Sequence, residues 1–537
     1  MVFNSPQYNS IVTDLKQCAQ RINDSDHHLK FLIDTPGRLE RFSFQGAGIF
    51  LDVSRQRIDE EIMDLLLGLA EESELTQRFS QMLEGKIVNL TEKRAALHTA
   101  ARCFSPDPVY VNDQDVMPAI RDERNRIKTF SEEVRRGEIT GSTGKPFQHV
   151  VVVGIGGSYL GTSFVHMALN ALSDHRFQLH FLSNVDSYAF GKIIREIDPE
   201  TTLWIIISKS YTTPETMSNE KQATDFMITK GLDPQKHLVA VTGKGSPGDQ
   251  TEHAVLDTFY MFDFIGGRYS VTSAVGGLPL SIVLGYNVFE RFLKGAEQMD
   301  IHAKNAPPKQ NIPLIAALIS FWNYSFLGYR SLAIIPYSSY LRELAPHIQQ
   351  LHMESNGKSV SLSGDILPNP MGYIIFGEPG TNAQHSFFQL AHQGPPFPID
   401  FVGVIRPLEH LPLSRSKGVT IHQELWANLI SQASALAIGK DDKNPAKHFS
   451  GNRPSTTILI NDLSPECIGR LLSFYEAKTV FESWLWDINA FDQFGVELGK
   501  TTASGIRKEI AAKNETANHH FDSVDPITRF YLETLFS

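Results

Sequence analysis

The sequence predicts a mixed α/β chain with two doubly wound domains, each an α-β-α sandwich on a parallel sheet. A helical region precedes them and a helical tail follows. Three observations predict this. The chain has 537 residues, more than one hydrophobic core accommodates. Short, continuous apolar runs rich in β-branched residues occur at 149–153, 179–182, 203–207 and 238–241, each followed by a turn and a helical pattern. A second series repeats this at 332–335, 373–376, 401–405 and 457–460. Unbroken apolar runs of strand length indicate strands covered on both faces, as in parallel sheets, whose ligands gather at the carboxyl ends of the strands.

In chain order, residues 1–120 read as a helical region with few strand signals, expected to pack on the larger domain. Residues 121–290 form the first, smaller domain, 291–503 the second, larger one, and 504–537 the helical tail. The longest apolar stretch, 312–329, is interrupted by Pro313, Asn323 and Gly328, so it is expected to be a buried helix rather than a membrane span. No short-period repeat or low-complexity segment is visible.

The formal net charge of -11 argues against a general nucleic-acid binder. An anionic ligand would need positive charge concentrated locally. The cysteines Cys18, Cys103 and Cys467 are far apart and in no CxxC pattern, which predicts a reducing compartment and no structural zinc. The first residues lack a basic segment followed by an apolar core, so no secretory leader is expected and the setting is cytoplasmic.

Six segments carry candidate chemistry. Gly154, Gly156, Gly157 and Ser158 follow the run at 149–153, and a glycine loop between strand and helix brings backbone N–H groups to an anion. A dinucleotide fingerprint would need glycine at 159, where Tyr159 stands; a P-loop would need a lysine, which is missing. A smaller phosphate-bearing ligand fits better. Residues 208–216 follow the run at 203–207 and hold Ser208, Lys209, Ser210, Thr212 and Thr213 before Pro214, with Thr213 placed as N-cap and Pro214 as first helical residue. Arg268 follows Gly266 and Gly267, as a forked, permanent cation suited to a developing oxyanion.

Glu354 ends a helical run marked by Leu341, Leu344, Ala345, Ile348 and Leu351, just before Asn356 and Gly357. A carboxylate there suits a general base of fixed geometry. In residues 377–385, Thr381 and Gln384 have capping-box spacing, which puts His385 in a first helical turn where the dipole favours neutral imidazole. His392 reads as a packed or capping histidine. Gln493 and Lys500, seven apart, share a helical face. Five of the segments also have a plainer reading: a connecting turn, a capped helix, a surface arginine, a solvated glutamate, and Lys500 paired with Glu497.

Taken together, Gly266–Ser270, Met353–Lys358, Gly380–His385 and Asp492–Lys500, in this order with the loops before them, closely resemble the glucose-6-phosphate isomerase (phosphoglucose isomerase) family over roughly residues 150 to 500. The resemblance implies two sugar-isomerase (SIS) domains and reversible conversion of glucose 6-phosphate to fructose 6-phosphate, a step of glycolysis and gluconeogenesis, without metal or organic cofactor. It implies that Gly157, Ser158, Ser208, Lys209, Ser210 and Thr213 bind the substrate, chiefly its phosphate, and that Gln493 orients the sugar. His385 and Lys500 would assist ring opening. Glu354 would move the proton between C2 and C1 through a cis-enediol, and Arg268 would stabilise its charge. The family is typically a homodimer in which the histidine reaches the partner's site; no nucleic acid or membrane is implied. Tyr159, Ser210 and Phe494 depart from the commonest family pattern, as does the segment Gly276–Pro279, to which no role is assigned. The alternatives are a non-catalytic sugar-phosphate sensor on the same fold and a related isomerase also accepting mannose 6-phosphate. An amino-sugar phosphate isomerase would normally need an ammonia source or a lysine forming an imine with the sugar, and the first cysteine, Cys18, stands in a helical context rather than at the N-terminus.

Overall fold

A computed structural model describes residues 5–250, 253–408, 415–416 and 418–537. The first four positions of the stretch read for a leader lie outside them. Two large sheets, one parallel and one mixed, organise Met1–Ala490, one of two compact units. The larger strands, in chain order, are β1 (Ser43–Gly46), β2 (Ile49–Asp52), β3 (His149–Val153), β4 (Gln178–Leu182), β5 (Thr202–Ile207), β6 (Leu238–Gly243), β7 (Thr258–Met261), β8 (Ser331–Pro336), β9 (Ile374–Phe376), β10 (Ile399–Val404) and β11 (Ser455–Ile460).

The first sheet has the order β7-β6-β5-β3-β4, and every pairing is parallel. From β3 the chain crosses to β4 on one side and then returns to β5 on the other. The gap between the carboxyl ends of β3 and β5 is therefore a switch point, where open α/β sheets bind ligands. All six residues of β5 and four of the five in β3 are buried, which explains their unbroken apolar sequences. Val151, Val153, Trp204, Ile206, Phe190 and Met227 belong to one core on this sheet.

The second sheet has the order β1-β2-β11-β10-β8-β9. Its four later strands are parallel, and β2 runs antiparallel to β11, with Thr457 opposite Asp52. Here the structure departs from the expectation for residues 1–120. The hairpin β1–β2, four residues a strand, extends the second sheet. The strand β7 was likewise not foreseen.

The helix Ile312–Ser325 has twelve buried residues, with Pro313 in its first turn, where no N–H is missed. No described helix is long and apolar enough to cross a membrane. The helix Pro465–Leu485 is buried along nearly its whole length and carries charge into the interior. Arg102, with no exposed side-chain surface, donates to both oxygens of Asp300 at 2.6 and 2.8 Å and also bonds Glu476 and Ser473. A buried cation is tolerable only with partners of this kind.

The second compact unit, Phe491–Ser537, contains the helices Phe494–Glu515 and Pro526–Leu535. Asp525 caps the latter by accepting from the N–H groups of Ile527 and Thr528. Within this unit, Phe521 and Leu532 are buried, and the Phe521 ring packs on Phe536.

Candidate active site

The two glycine loops of the first sheet meet. After β3 the chain makes one tight turn, Gly156–Ser158, before the helix Leu160–Leu169. A second tight turn, Gly267–Tyr269, lies against it. A methyl group on Gly157 would stand 2.2 Å from the carbonyl carbon of Gly267 and 2.7 Å from the Arg268 nitrogen. Gly157 is thus required by the approach of two backbones, whatever else it contacts. Ser270 ties the junction, donating to Gly267 O at 2.7 Å and facing Gly157 O at 3.3 Å. Tyr159 packs its ring edgewise on Phe181, a structural use for the departure at that position. Gly276–Pro279 lies within the buried helix Ala274–Leu284.

The hydroxyl-rich loop follows β5, on the other side of the switch point. The helix Pro214–Thr229 begins as expected, with Thr213 as N-cap and Pro214 in its first turn. The Thr213 hydroxyl makes no capping bond; Ser208 Oγ donates to it at 3.3 Å. Its oxygen is therefore not consumed by its own helix. The turn is held by Tyr211, a buried residue at φ +50° whose N–H donates to Ser208 Oγ and whose hydroxyl donates to Glu220. Ser210 is exposed and accepts from Thr212 Oγ1 at 2.8 Å. Lys209 reaches across to the arginine loop, donating to the carbonyls of Asp263 and Ile265 at 2.8 and 3.1 Å. Desolvation holds its pKa below the usual lysine value, against the pull of Asp263.

The helix Leu344–Asn356 carries Glu354 in its last turn. Arg268 Nη1 stands 3.4 Å from Glu354 Oε1, with 1% and 19% of the two side chains exposed. Arg268 is fixed independently of that pair: Nε donates to Ser355 Oγ at 2.7 Å and Nη2 to Ala490 O at 2.5 Å, while Tyr269 Oη lies 3.0 Å from Ser355 Oγ. A separation of 3.4 Å is looser than a charge-assisted hydrogen bond, so the carboxylate is near its cation without being locked to it. Lys358 Nζ donates to Glu354 O, closing the end of the helix. Gly357 caps it at φ -74°, without the left-handed conformation common at such ends.

One neighbour escaped the sequence reading. Gln350 lies one turn before Glu354; its Oε1 is buried without a partner among the described residues, and its Nε2 sits 3.2 Å from where a methyl on Gly156 would be. The spacing i to i+4 from Glu354 was the available signal.

His385 is placed differently from the expectation. The short helix Gly380–Gln384 is preceded by Pro379, so the Thr381–Gln384 capping box does not form and His385 caps the carboxyl end. The dipole argument for a neutral imidazole therefore does not apply. The residue is exposed, and its ring has no hydrogen-bond partner among the described residues. His392 bonds Gln432 Oε1 and packs on Phe449, a structural histidine. In the second unit Gln493 precedes the helix Phe494–Glu515 and Lys500 lies exposed within it, making no ion pair with Glu497.

The sequence profile of phosphoglucose isomerase matches residues 52–526. The chain belongs to the phosphoglucose isomerase family. It is 60% identical over 525 residues to a glucose-6-phosphate isomerase of Desulfosudis oleivorans, covering 97% of this chain and 96% of that one. It is 42% identical over 543 residues to a cytosolic glucose-6-phosphate isomerase of Arabidopsis thaliana, with 97% and 96% covered. Its fold matches the crystal structure of a glucose-6-phosphate isomerase from Chlamydia trachomatis with a TM-score of 0.89, at 35% identity and 99% coverage of both chains. Phosphoglucose isomerase membership accounts for the order of the motifs read from the sequence.

Proposed function

We propose that Glu354 is the proton-transferring base and Arg268 its electrostatic partner in the reversible isomerisation of glucose 6-phosphate to fructose 6-phosphate. The observation that carries this is the 3.4 Å approach of the Arg268 guanidinium to the Glu354 carboxylate, with Arg268 held separately by Ser355 and Ala490. Glu354 takes the proton from C2 of the open-chain aldose. The electron pair becomes the C1–C2 double bond, and the former carbonyl oxygen O1 takes the negative charge, which Arg268 offsets. The hydroxyl proton passes from O2 to O1, and Glu354 returns its proton to C1, giving the ketose.

Gly157, Ser158, Ser208, Lys209, Ser210 and Thr213 hold the substrate through its phosphate at the switch point of the first sheet. That binding energy keeps a flexible open-chain sugar in place during proton transfer. His385 and Lys500 shift the proton between the anomeric hydroxyl and the ring oxygen, and Gln493 orients the sugar. The chain acts as a homodimer in which His385 serves the partner's site, a reading supported by the exposed imidazole, which has no hydrogen-bond partner among the described residues. The plant cytosolic relatives support a cytoplasmic setting. A sugar-phosphate sensor would have no need of the base and its arginine, and the comparisons do not favour it.

The test is Glu354→Gln in heavy water. Exchange of the C2 proton of glucose 6-phosphate is expected to stop, with binding of a non-reacting sugar phosphate retained. Exchange at the wild-type rate would rule out Glu354 as the base.

A further inference from the structure

We propose that Glu482 is a positioning residue that sets the rotation of the helix turn bearing the base. The inference rests on the reading of Glu354 as base. Glu482 belongs to the buried helix Pro465–Leu485 and has no exposed side-chain surface. Its carboxylate meets four donors. Oε2 accepts from His352 Nδ1 at 3.0 Å and from Asn356 Nδ2 at 3.2 Å. Oε1 accepts from Lys478 Nζ at 2.6 Å and from Tyr373 Oη at 2.7 Å. Lys478 Nζ also bonds Tyr373 Oη at 2.9 Å, and the Tyr373 ring stacks on His352 at 3.8 Å.

His352 and Asn356 are i and i+4 on the base-bearing helix, and Glu354 and Ser355 lie between them. One carboxylate therefore grips both ends of the turn that presents the base and the hydroxyl holding Arg268. Burial by itself would keep Glu482 protonated; Lys478 and His352 overcome it and hold the pKa at about 2, so the clamp is ionised at neutral pH. A buried ion network is a weak source of stability, since apolar packing would join two helices as well. Apolar contact would not fix the rotation of the last turn, whereas four directional bonds do.

That rotation matters because Glu354 and Ser355 leave the helix about 100° apart and both face Arg268. A carboxylate lies about 5–6 Å from the helix axis, so a rotation of about 10° moves it by about 1 Å. A displacement of about 1 Å in a reacting group can cost about a hundredfold in rate.

The test is Glu482→Gln, which keeps the shape and removes the charge. kcat and C2 exchange are expected to fall together by about tenfold or more, while KM and the affinity for sorbitol 6-phosphate, which lacks a carbonyl, change less than about twofold. A lower melting temperature with unchanged kcat per folded enzyme would overturn the proposal, because that is the signature of a merely structural ion network. If Glu482→Gln does not fold, His352→Phe keeps the stack on Tyr373 and deletes one donor. A several-fold loss of kcat at constant KM is then expected, and wild-type kcat overturns it. Glu354→Gln is run alongside. If it stays active, the base reading fails; if it is inactive while Glu482→Gln is normal, only the present inference fails.

Discussion

Gly157→Ala adds a single methyl group between two backbones. The new carbon would lie 2.2 Å from Gly267 C and 2.4 Å from Gly267 O, against 3.4 Å or more in ordinary contact. One loop must therefore recede by more than an ångström. The neighbours are main-chain atoms of the residue just before Arg268, so no side chain can turn aside. If the arginine loop moves, the 3.4 Å approach to Glu354 opens to about 4.5 Å; if the first loop moves, Ser158 leaves the switch point. A misplacement of this size costs about a hundredfold in kcat/KM, or about 2.7 kcal/mol of transition-state stabilisation. The assay is oxidation of the glucose 6-phosphate formed from fructose 6-phosphate by a coupled dehydrogenase, with a thermal melt to establish folding. A folded Gly157→Ala enzyme within threefold of wild type would refute the claim that this contact sets the arginine.

Two further outcomes are expected. Ser208→Ala combined with Thr213→Ala should raise KM more than it lowers kcat, because the phosphate takes no part in the proton transfer; an unchanged KM in steady-state kinetics would remove these hydroxyls from the site. Asp400, buried within β10 of the second sheet, has its pKa raised to about 6 from 3.8, chiefly by desolvation and against the pull of Lys478. A carboxyl raised in this way stabilises the fold below pH 3.8 and loses that contribution as pH climbs to about 6. Urea unfolding should therefore show Asp400→Asn gaining on wild type across that window, by at most about 3 kcal/mol, and holding a constant advantage above it. A difference that ignores pH would contradict the assignment.

The parallel strands were legible because burial on both faces leaves continuous apolar runs, and all eight foreseen runs fall on strands. The hairpin β1–β2 was not, since strands of four residues beginning Ser43-Phe44-Gln45-Gly46 carry neither a long apolar run nor a clean alternation. β7, beginning at Thr258, is equally short. His385 was put at the wrong end of its helix because Pro379, not Thr381, precedes the first turn; a five-residue helix offers too little periodicity to set its start. Glu354 and Arg268 were both visible as residue types beside turns. Their approach was not, for it depends on the meeting of two glycine loops and a helix end 86 positions away. The His352–Glu482 clamp lay further still from view, since its two residues stand 130 positions apart on different helices.

The pairing of β2 with β11 carries a consequence for synthesis. Asp52 finds its opposite number only at Thr457, about four hundred residues later. At about 5–20 residues per second a ribosome needs roughly 20–80 seconds to cover that distance. The first sheet, contained within residues 149–261, can close in the meantime. The hairpin must wait with the outer edge of β2 unpaired, so the nascent chain is exposed to mispairing with its neighbours longest at Ile49–Asp52, among the earliest segments made.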